Sequence, residues 1–201
     1  AWLDAADAPR LLEQQAAFGF VRSVRHKPRA NASPNDAAPG GTADARWRAG
    51  YAELGRNGLR FDLQTPWWHL AEAARLATDF PDTTIILNHT GLPSDRSAEG
   101  LSGWKRAMTT LATCPNVDVK ISGLGQRGQA WTPAANGDIV RRVIDLFGVE
   151  RCMFASNFPV DSLCATFPTI FGGFREIVRD FSAAEQQALF RDNAIRIYAM
   201  P

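Results

Sequence analysis

Between Thr83 and Pro93 the chain reads Thr-Thr-Ile-Ile-Leu-Asn-His-Thr-Gly-Leu-Pro, and this stretch constrains the fold more than any other. Thr84 to Leu87 is β-branched and apolar without polar alternation, the pattern of a parallel strand covered on both faces. Gly91 and Pro93 end it, so Asn88 and His89 fall at its carboxyl end. Parallel α/β folds bind their ligands at that edge, which makes His89 a candidate site residue by position. The competing reading is a histidine bonded to neighbouring backbone.

The surrounding chain repeats a strand-then-helix unit. A helix over Asp7 to Phe18 leads into a strand, Phe20 to Arg25, which ends in the cationic cluster Arg25-His26-Lys27-Pro28. Arg29 to Thr42 has no periodicity and no aromatic anchor, and reads as a disordered insert rather than a mobile lid. Asp44 to Arg56 is helical, with Trp47, Tyr51 and Leu54 at helical spacing and Asn57-Gly58 as its stop. Leu59 to Gln64 is a strand in which Asp62 and Gln64 share a face. Thr65-Pro66 then opens a helix with the apolar stripe Leu70, Ala73, Ala74 and Ala77.

Beyond Pro93 a helix from Leu101 to Thr113 begins a weak internal repeat. Leu76-Ala77-Thr78 before Phe80-Pro81-Asp82 is matched by Leu111-Ala112-Thr113 before Cys114-Pro115-Asn116, each followed by a strand. Superposing the prolines puts Ser122, at the end of the strand Val117 to Ser122, opposite Asn88. A long loop, Gly123 to Gly137, precedes a helix from Asp138 to Phe147. The strand Arg151 to Ser156 then leads to Asn157-Phe158-Pro159-Val160-Asp161 at its carboxyl end. Helices over Phe167 to Phe181 and Ala183 to Tyr198 finish the chain, the second opened by the capping box Ser182-x-x-Glu185. Trp47 and Trp104 lie on helices and read as packing, Trp67, Trp68 and Trp131 follow strand ends, and His69 reads as structural.

Five strands, each followed by a helical segment, predict a parallel sheet built by right-handed crossovers. Both a doubly wound sheet and part of a barrel satisfy that. No strand-to-helix turn carries Gly-x-Gly-x-x-Gly or a P-loop, which favours the barrel. The 22 basic and 21 acidic residues give a formal net charge of +1 and are well mixed, so small-molecule chemistry is expected rather than nucleic-acid or membrane binding. Cys114, Cys152 and Cys164 form neither a Cys-x-x-Cys pair nor a disulfide framework, and no secretory signal is visible, which fits a reducing cytoplasm.

Taken together, Arg22-Ser23-Val24-Arg25-His26, Phe61-Asp62-Leu63-Gln64, Ile86-Leu87-Asn88-His89-Thr90-Gly91, Val119-Lys120-Ile121-Ser122-Gly123 and Phe154-Ala155-Ser156-Asn157-Phe158-Pro159 resemble the amidohydrolase-2 family of TIM-barrel hydrolases, and within it the lactonase-like branch. The resemblance runs from about Phe20 to Tyr198. It implies an α/β chain that is an incomplete (β/α)8 TIM barrel, one partial domain over residues 1–201 holding the family's strands four to eight. The His-x-His pair of the family's first strand does not occur in this sequence. An opened barrel exposes an unpaired edge and its inner faces, so the expectation is a piece of a longer protein, inactive alone.

The resemblance makes His89 the family's sixth-strand histidine, a metal ligand in some branches and a hydrogen-bond partner of the substrate carbonyl in others. Asn157 stands where many relatives place an aspartate, and an amide is no base. Asp161 is then the nearest carboxylate able to replace it, against a reading as a turn former. Arg25 and His26 are suited to a substrate carboxylate or carbonyl, with Asp62, Gln64, Lys120 and Asn157 on the substrate side; the alternative for Arg25 is an ion pair with Asp62. The implied activity is hydrolysis of a small lactone or related ester, with a divalent metal such as zinc as the cofactor to be considered. The alternatives are a metal-dependent decarboxylase on the same scaffold, and a non-catalytic fragment or binding protein.

Overall fold

The computed structural model describes residues 2–201. The elements follow one another as α1 (Ala8–Ala16), β1 (Ser23–His26), α2 (Ala45–Arg56), β2 (Arg60–Leu63), α3 (Leu70–Asp79), β3 (Ile85–Leu87), α4 (Ala98–Ala112), β4 (Val117–Ile121), α5 (Pro133–Phe147), β5 (Cys152–Phe154), α6 (Phe167–Ile177), α7 (Ala183–Gln187) and α8 (Asn193–Ile197). Among the described residues the five strands form one sheet in the order β1-β2-β3-β4-β5. Every neighbouring pair is parallel, with Arg25 opposite Asp62, Leu63 opposite Leu87, Leu87 opposite Val119 and Ile121 opposite Phe154. Each strand lies beside its successor, which is the order of a barrel wall; a doubly wound sheet reverses its order at a switch point.

The period of two divides the strands into an outer and an inner face. Outward residues such as Phe61, Leu63, Ile85, Leu87, Val119 and Ile121 join the helices in one large core with Tyr51, Leu70, Met108, Val140 and Phe174. The inner face carries Arg25, Asp62, Asp118 and Lys120 instead. Where it is apolar, Ile86 and Met153 pack against Ile197, Ala194 and Tyr198 in a separate cluster, so the C-terminal helix folds in beneath the sheet. Arg22, just before β1, donates to the carbonyl of Ala199 at 3.0 Å and fixes that helix at the amino end of the strands.

Local chemistry sets the helix starts. The side chains of Asp44, Ser97, Thr132 and Thr166 each accept from a backbone N–H in the first turn of the helix they open, and Ser182 with Glu185 forms a full capping box. These caps move two starts forward of the periodicity. α5 begins at Pro133 rather than Asp138 because Thr132 caps it and Pro133 supplies a preset φ, and α4 begins at Ala98 behind Ser97.

Arg29 to Thr42 departs from the expected disordered insert. His69 Nε2 accepts from the Asn31 N–H at 3.0 Å, and Trp68 Nε1 donates to the Asn31 carbonyl at 3.2 Å. Glu72 accepts from the Gly40 N–H at 2.7 Å and from the Thr42 hydroxyl at 3.0 Å. The anchors stand in the next strand-to-helix connection and in α3, outside the segment whose own composition suggested disorder. His69 is a structural residue in this arrangement.

Tyr51 stacks on Trp47 with centroids 5.3 Å apart and meets Phe61 and Phe80 edge-on at 5.1 and 5.0 Å. Its hydroxyl is buried with no hydrogen-bond partner among the described residues, so the polar oxygen is a cost to the fold while the ring supplies the packing. Tyr51→Phe is therefore expected to leave stability unchanged or raise it by about 1 kcal/mol in urea denaturation. A loss of similar size would show that the hydroxyl has a partner in solution.

Candidate active site

The carboxyl end of β3 turns through left-handed backbone. His89, Thr90 and Leu92 have φ of 54°, 58° and 56°, and Gly91 has 68°. Three non-glycine residues in this region are strained, and the adjoining β4 loop holds them. Thr90 Oγ1 donates to the Ser122 carbonyl at 2.9 Å and accepts from the Ser122 N–H at 3.2 Å, while Trp104 Nε1 donates to the Thr90 carbonyl at 2.8 Å. Gly123 permits the approach, since a Cβ there would lie 2.7 Å from the Cβ of His89.

This turn aims the His89 ring along the mouth of the sheet. Nδ1 lies 3.0 Å from Ser122 Oγ, and Nε2 lies 3.5 Å from Arg25 Nη2. A guanidinium only donates, so Nε2 is the acceptor and the ring proton sits on Nδ1, facing Ser122. Burial, and then the charges of Arg25, Lys120 and Lys27, push the pKa of His89 down to about 4, with Asp62 opposing. The imidazole is therefore neutral near pH 7.

Asp62 organises the cations beside it. It accepts from Ser23 Oγ at 2.6 Å, Lys120 Nζ at 2.9 Å and Tyr198 OH at 2.8 Å. Lys120 thus takes the place proposed for Arg25 in an ion pair with Asp62, and Arg25 turns to Gln64 and His89 instead. Arg25, Gln64, Lys120, Asp62 and His89 are brought together at one edge. Two participants come from outside the sequence candidates. Ser122 was marked by the internal repeat that set it opposite Asn88 and by its place in the stretch Val119 to Gly123, but given no role; Tyr198 carries no sequence signal, because its partner lies 136 residues away.

His26 is not part of this group. Arg25 points inward, so the alternation turns His26 outward, where its Nδ1 accepts from Trp47 Nε1 at 3.0 Å and from the Leu3 N–H at 3.2 Å. Its expected place at the substrate is corrected to a buried link between β1, α2 and the N-terminal segment. Asn157, itself at φ 56°, donates through Nδ2 to Asp161 Oδ1 at 2.8 Å. Asp161 is buried, and its Oδ2 accepts from the Gly125 N–H at 3.4 Å. Burial raises its pKa against those two bonds, and the carboxylate ties the β5 loop to the β4 loop. Trp131 packs edge-on against Phe174 at 5.2 Å rather than lining the mouth.

No group of three or more His, Cys, Asp or Glu able to hold a metal ion occurs among the described residues. His89 offers one imidazole, where a catalytic zinc takes three protein ligands, so these residues do not by themselves fit a divalent ion. A concavity of about 720 Å³ lies by α3 and α4, walled by Trp67, Trp68 and Arg106. None of Arg25, Asp62, Gln64, His89 and Lys120 lines it.

The family model of the amidohydrolases matches residues 1–200 of this chain. The chain belongs to the amidohydrolase family. A protein of Sinorhizobium fredii, y4mH, is 42% identical over 197 residues, covering 96% of this chain and 65% of its own length. An L-fucono-1,5-lactonase of Burkholderia multivorans is 29% identical over 170 residues, covering 79% of this chain and 57% of its own length. The chain thus spans less than two thirds of the curated relatives it matches. Among solved structures, an amidohydrolase of Burkholderia multivorans with bound zinc superposes at a TM-score of 0.79 with 27% identity, covering 99% of this chain and 71% of that one. The fold is that of TIM-barrel amidohydrolases, and the five strands form part of such a barrel. No helix among the described residues is long and apolar enough to cross a membrane.

The protonation of His89 is directly measurable. Its imidazole resonances are expected to titrate with a midpoint near pH 4, and Arg25→Gln should move that midpoint up by removing a nearby cation. The folded-state pKa lies below the ordinary 6.5, so below pH 6.5 the unfolded chain binds the proton more readily. Stability conferred by the neutral ring is present above pH 6.5 and falls as the pH drops toward 4. A midpoint near 6.5 in the native protein would overturn this account.

Proposed function

We propose that the protein to which this chain belongs hydrolyses a small lactone. The observation that carries the proposal is the placement of His89 Nε2 3.5 Å from Arg25 Nη2 at the mouth of the sheet, where burial and nearby cations favour the neutral ring. The relationship to a protein named as a lactonase supports it. In such a reaction water adds to the ring carbonyl, the ring C–O bond breaks, and the proton released by the added water passes to the departing alkoxide to give a hydroxy acid.

Arg25 is suited to the developing oxyanion, because it is a fixed cation with no carboxylate partner within ion-pair distance among the described residues. When Arg25 turns from its 3.5 Å contact with Nε2 to the oxyanion, the single lone pair of Nε2 is left to accept a hydrogen bond from the attacking water, while Ser122 holds Nδ1–H. A ring with a pKa near 4 is a weak base, so its task is to orient the water. Asp161, first considered as the base, has each oxygen engaged by a neighbouring loop and serves to position those loops. Nε2 of His89 is also the atom this chain offers to a divalent metal in a protein with ligands from further strands.

The test uses a protein that spans the whole barrel, assayed by pH-stat on a panel of sugar lactones. His89→Asn is expected to lower kcat by about 10²- to 10⁴-fold, with Asp161→Asn the milder of the two. Near-normal turnover by His89→Asn would overturn the proposal. Carbon dioxide release in place of acid production would identify a decarboxylase, and ligand binding without turnover a binding protein.

A further inference from the structure

Opening a lactone leaves its ring oxygen as an alkoxide, a strong base that departs readily only when a proton meets it. The groups gathered at the carboxyl edge differ in their capacity to supply one. His89 offers an acceptor at Nε2, and its Nδ1–H is engaged by Ser122 at 3.0 Å. The hydroxyl of Ser122 is as weak an acid as the alcohol being formed. A guanidinium such as that of Arg25 does not give up its proton, and the amide of Gln64 is no acid either. Asp62 accepts from Ser23, Lys120 and Tyr198 and has no proton of its own to offer. Tyr198 already donates to Asp62 Oδ1, and burial, followed by the Asp62 charge, raises its pKa above the ordinary tyrosine value. Lys120 remains.

Its position suits the task. Lys120 lies on β4 two residues before Ser122, so the two side chains share the inner face of the sheet, and Ser122 is the partner of the His89 ring. The charge of Lys120 acts on that ring, after burial and Arg25. Arg25 approaches from β1 and Lys120 from β4, on opposite sides of the β3 end that carries His89. A carbonyl oxygen held by Arg25 and a ring oxygen facing Lys120 can therefore belong to one ester group. Of the three N–H bonds of the ammonium, one is spent on Asp62 Oδ1 at 2.9 Å. The side chain keeps 23% of its surface exposed, so the remaining bonds are within reach of a ligand. The Tyr198 ring, centred 5.2 Å from Nζ, backs the ammonium.

We propose, resting on the lactonase reading of this same mouth, that Lys120 is the general acid of the ring opening. As the ring C–O bond breaks, a Lys120 N–H bond breaks with it and the proton forms the new hydroxyl. The amine left behind takes the proton released by the attacking water, so lactone and water become hydroxy acid and the ammonium is restored. Asp62 and Tyr198 are positioning residues in this step, since they hold the ammonium and touch no reacting atom.

The test compares, in a protein spanning the barrel, the sugar lactone opened fastest with its thiolactone, in which sulfur replaces the ring oxygen. A thiolate is a far weaker base than an alkoxide and leaves without an acid. Lys120→Met is expected to lower kcat on the lactone by about 10²- to 10⁴-fold and on the thiolactone by less than about five-fold. Lys120→Met also strips Asp62 of its cation and risks the fold, so Lys120→Arg is the second variant. It keeps a cation beside Asp62 yet is no proton donor at neutral pH, and the same contrast between the two substrates is expected of it. An equal loss on both substrates, near-normal lactone turnover by Lys120→Arg, or a thiolactone that the unaltered protein fails to open each overturns the assignment of Lys120. If the unaltered protein opens no lactone at all, the hydrolase reading falls and the acid with it; if lactone turnover stands and the contrast is missing, the acid alone falls.

Discussion

The alternation of side chains along five parallel strands in fixed register is the constraint on which the rest of the structure depends. Parallel pairing in chain order puts every carboxyl end at one edge, and the period of two assigns each residue to the helix layer or to the inner face. Phe61 and Leu63 pack outward because Asp62 faces in; His26 is buried beneath Trp47 because Arg25 is not. A one-residue slip in β1 would exchange the arginine at the site for a histidine and place a guanidinium in the apolar layer.

The inner face then becomes an electrostatic problem solved around Asp62. This carboxylate receives Ser23, Lys120 and Tyr198, which keeps Lys120 from competing with Arg25 for the mouth and ties the C-terminal helix to the middle of the sheet. Burial, and then the excess of positive charge left over, depress the pKa of His89 and fix it as a neutral acceptor. Backbone strain concentrates beside this charge, at His89, Thr90, Leu92 and Asn157. It persists because Thr90 and Ser122 cross-link the two loops.

Much of this organisation was legible before any coordinates. The apolar run Thr84 to Leu87 marked a buried strand with His89 at its ligand edge, and the five strand-then-helix units marked a parallel sheet. The position of His26 was misread as part of the substrate edge, although alternation alone sets it opposite in facing to Arg25. Long-range partners were not legible. Arg29 to Thr42 looked disordered because its anchors, Trp68, His69 and Glu72, stand in the next connection and helix. Ser122 surfaced in the internal repeat and in the stretch Val119 to Gly123 without a role, and Tyr198 not at all. Asp161 drew attention as a carboxylate near a strand end, and hydrogen bonds from two separate loops turned it into a brace.

The sequence by itself determined the strand and helix order, the parallel sheet and the candidate edge, because hydrophobic period, caps and turn residues act over a few positions; the barrel and the family were expected from the resemblance of its five strand ends. Tertiary structure alone decided which cation meets Asp62, which tautomer His89 adopts and where Arg96 is left with buried nitrogens that have no partner among the described residues. Those outcomes depend on distances between residues tens of positions apart, and on the loss of solvent around them, neither of which a local pattern of residues contains.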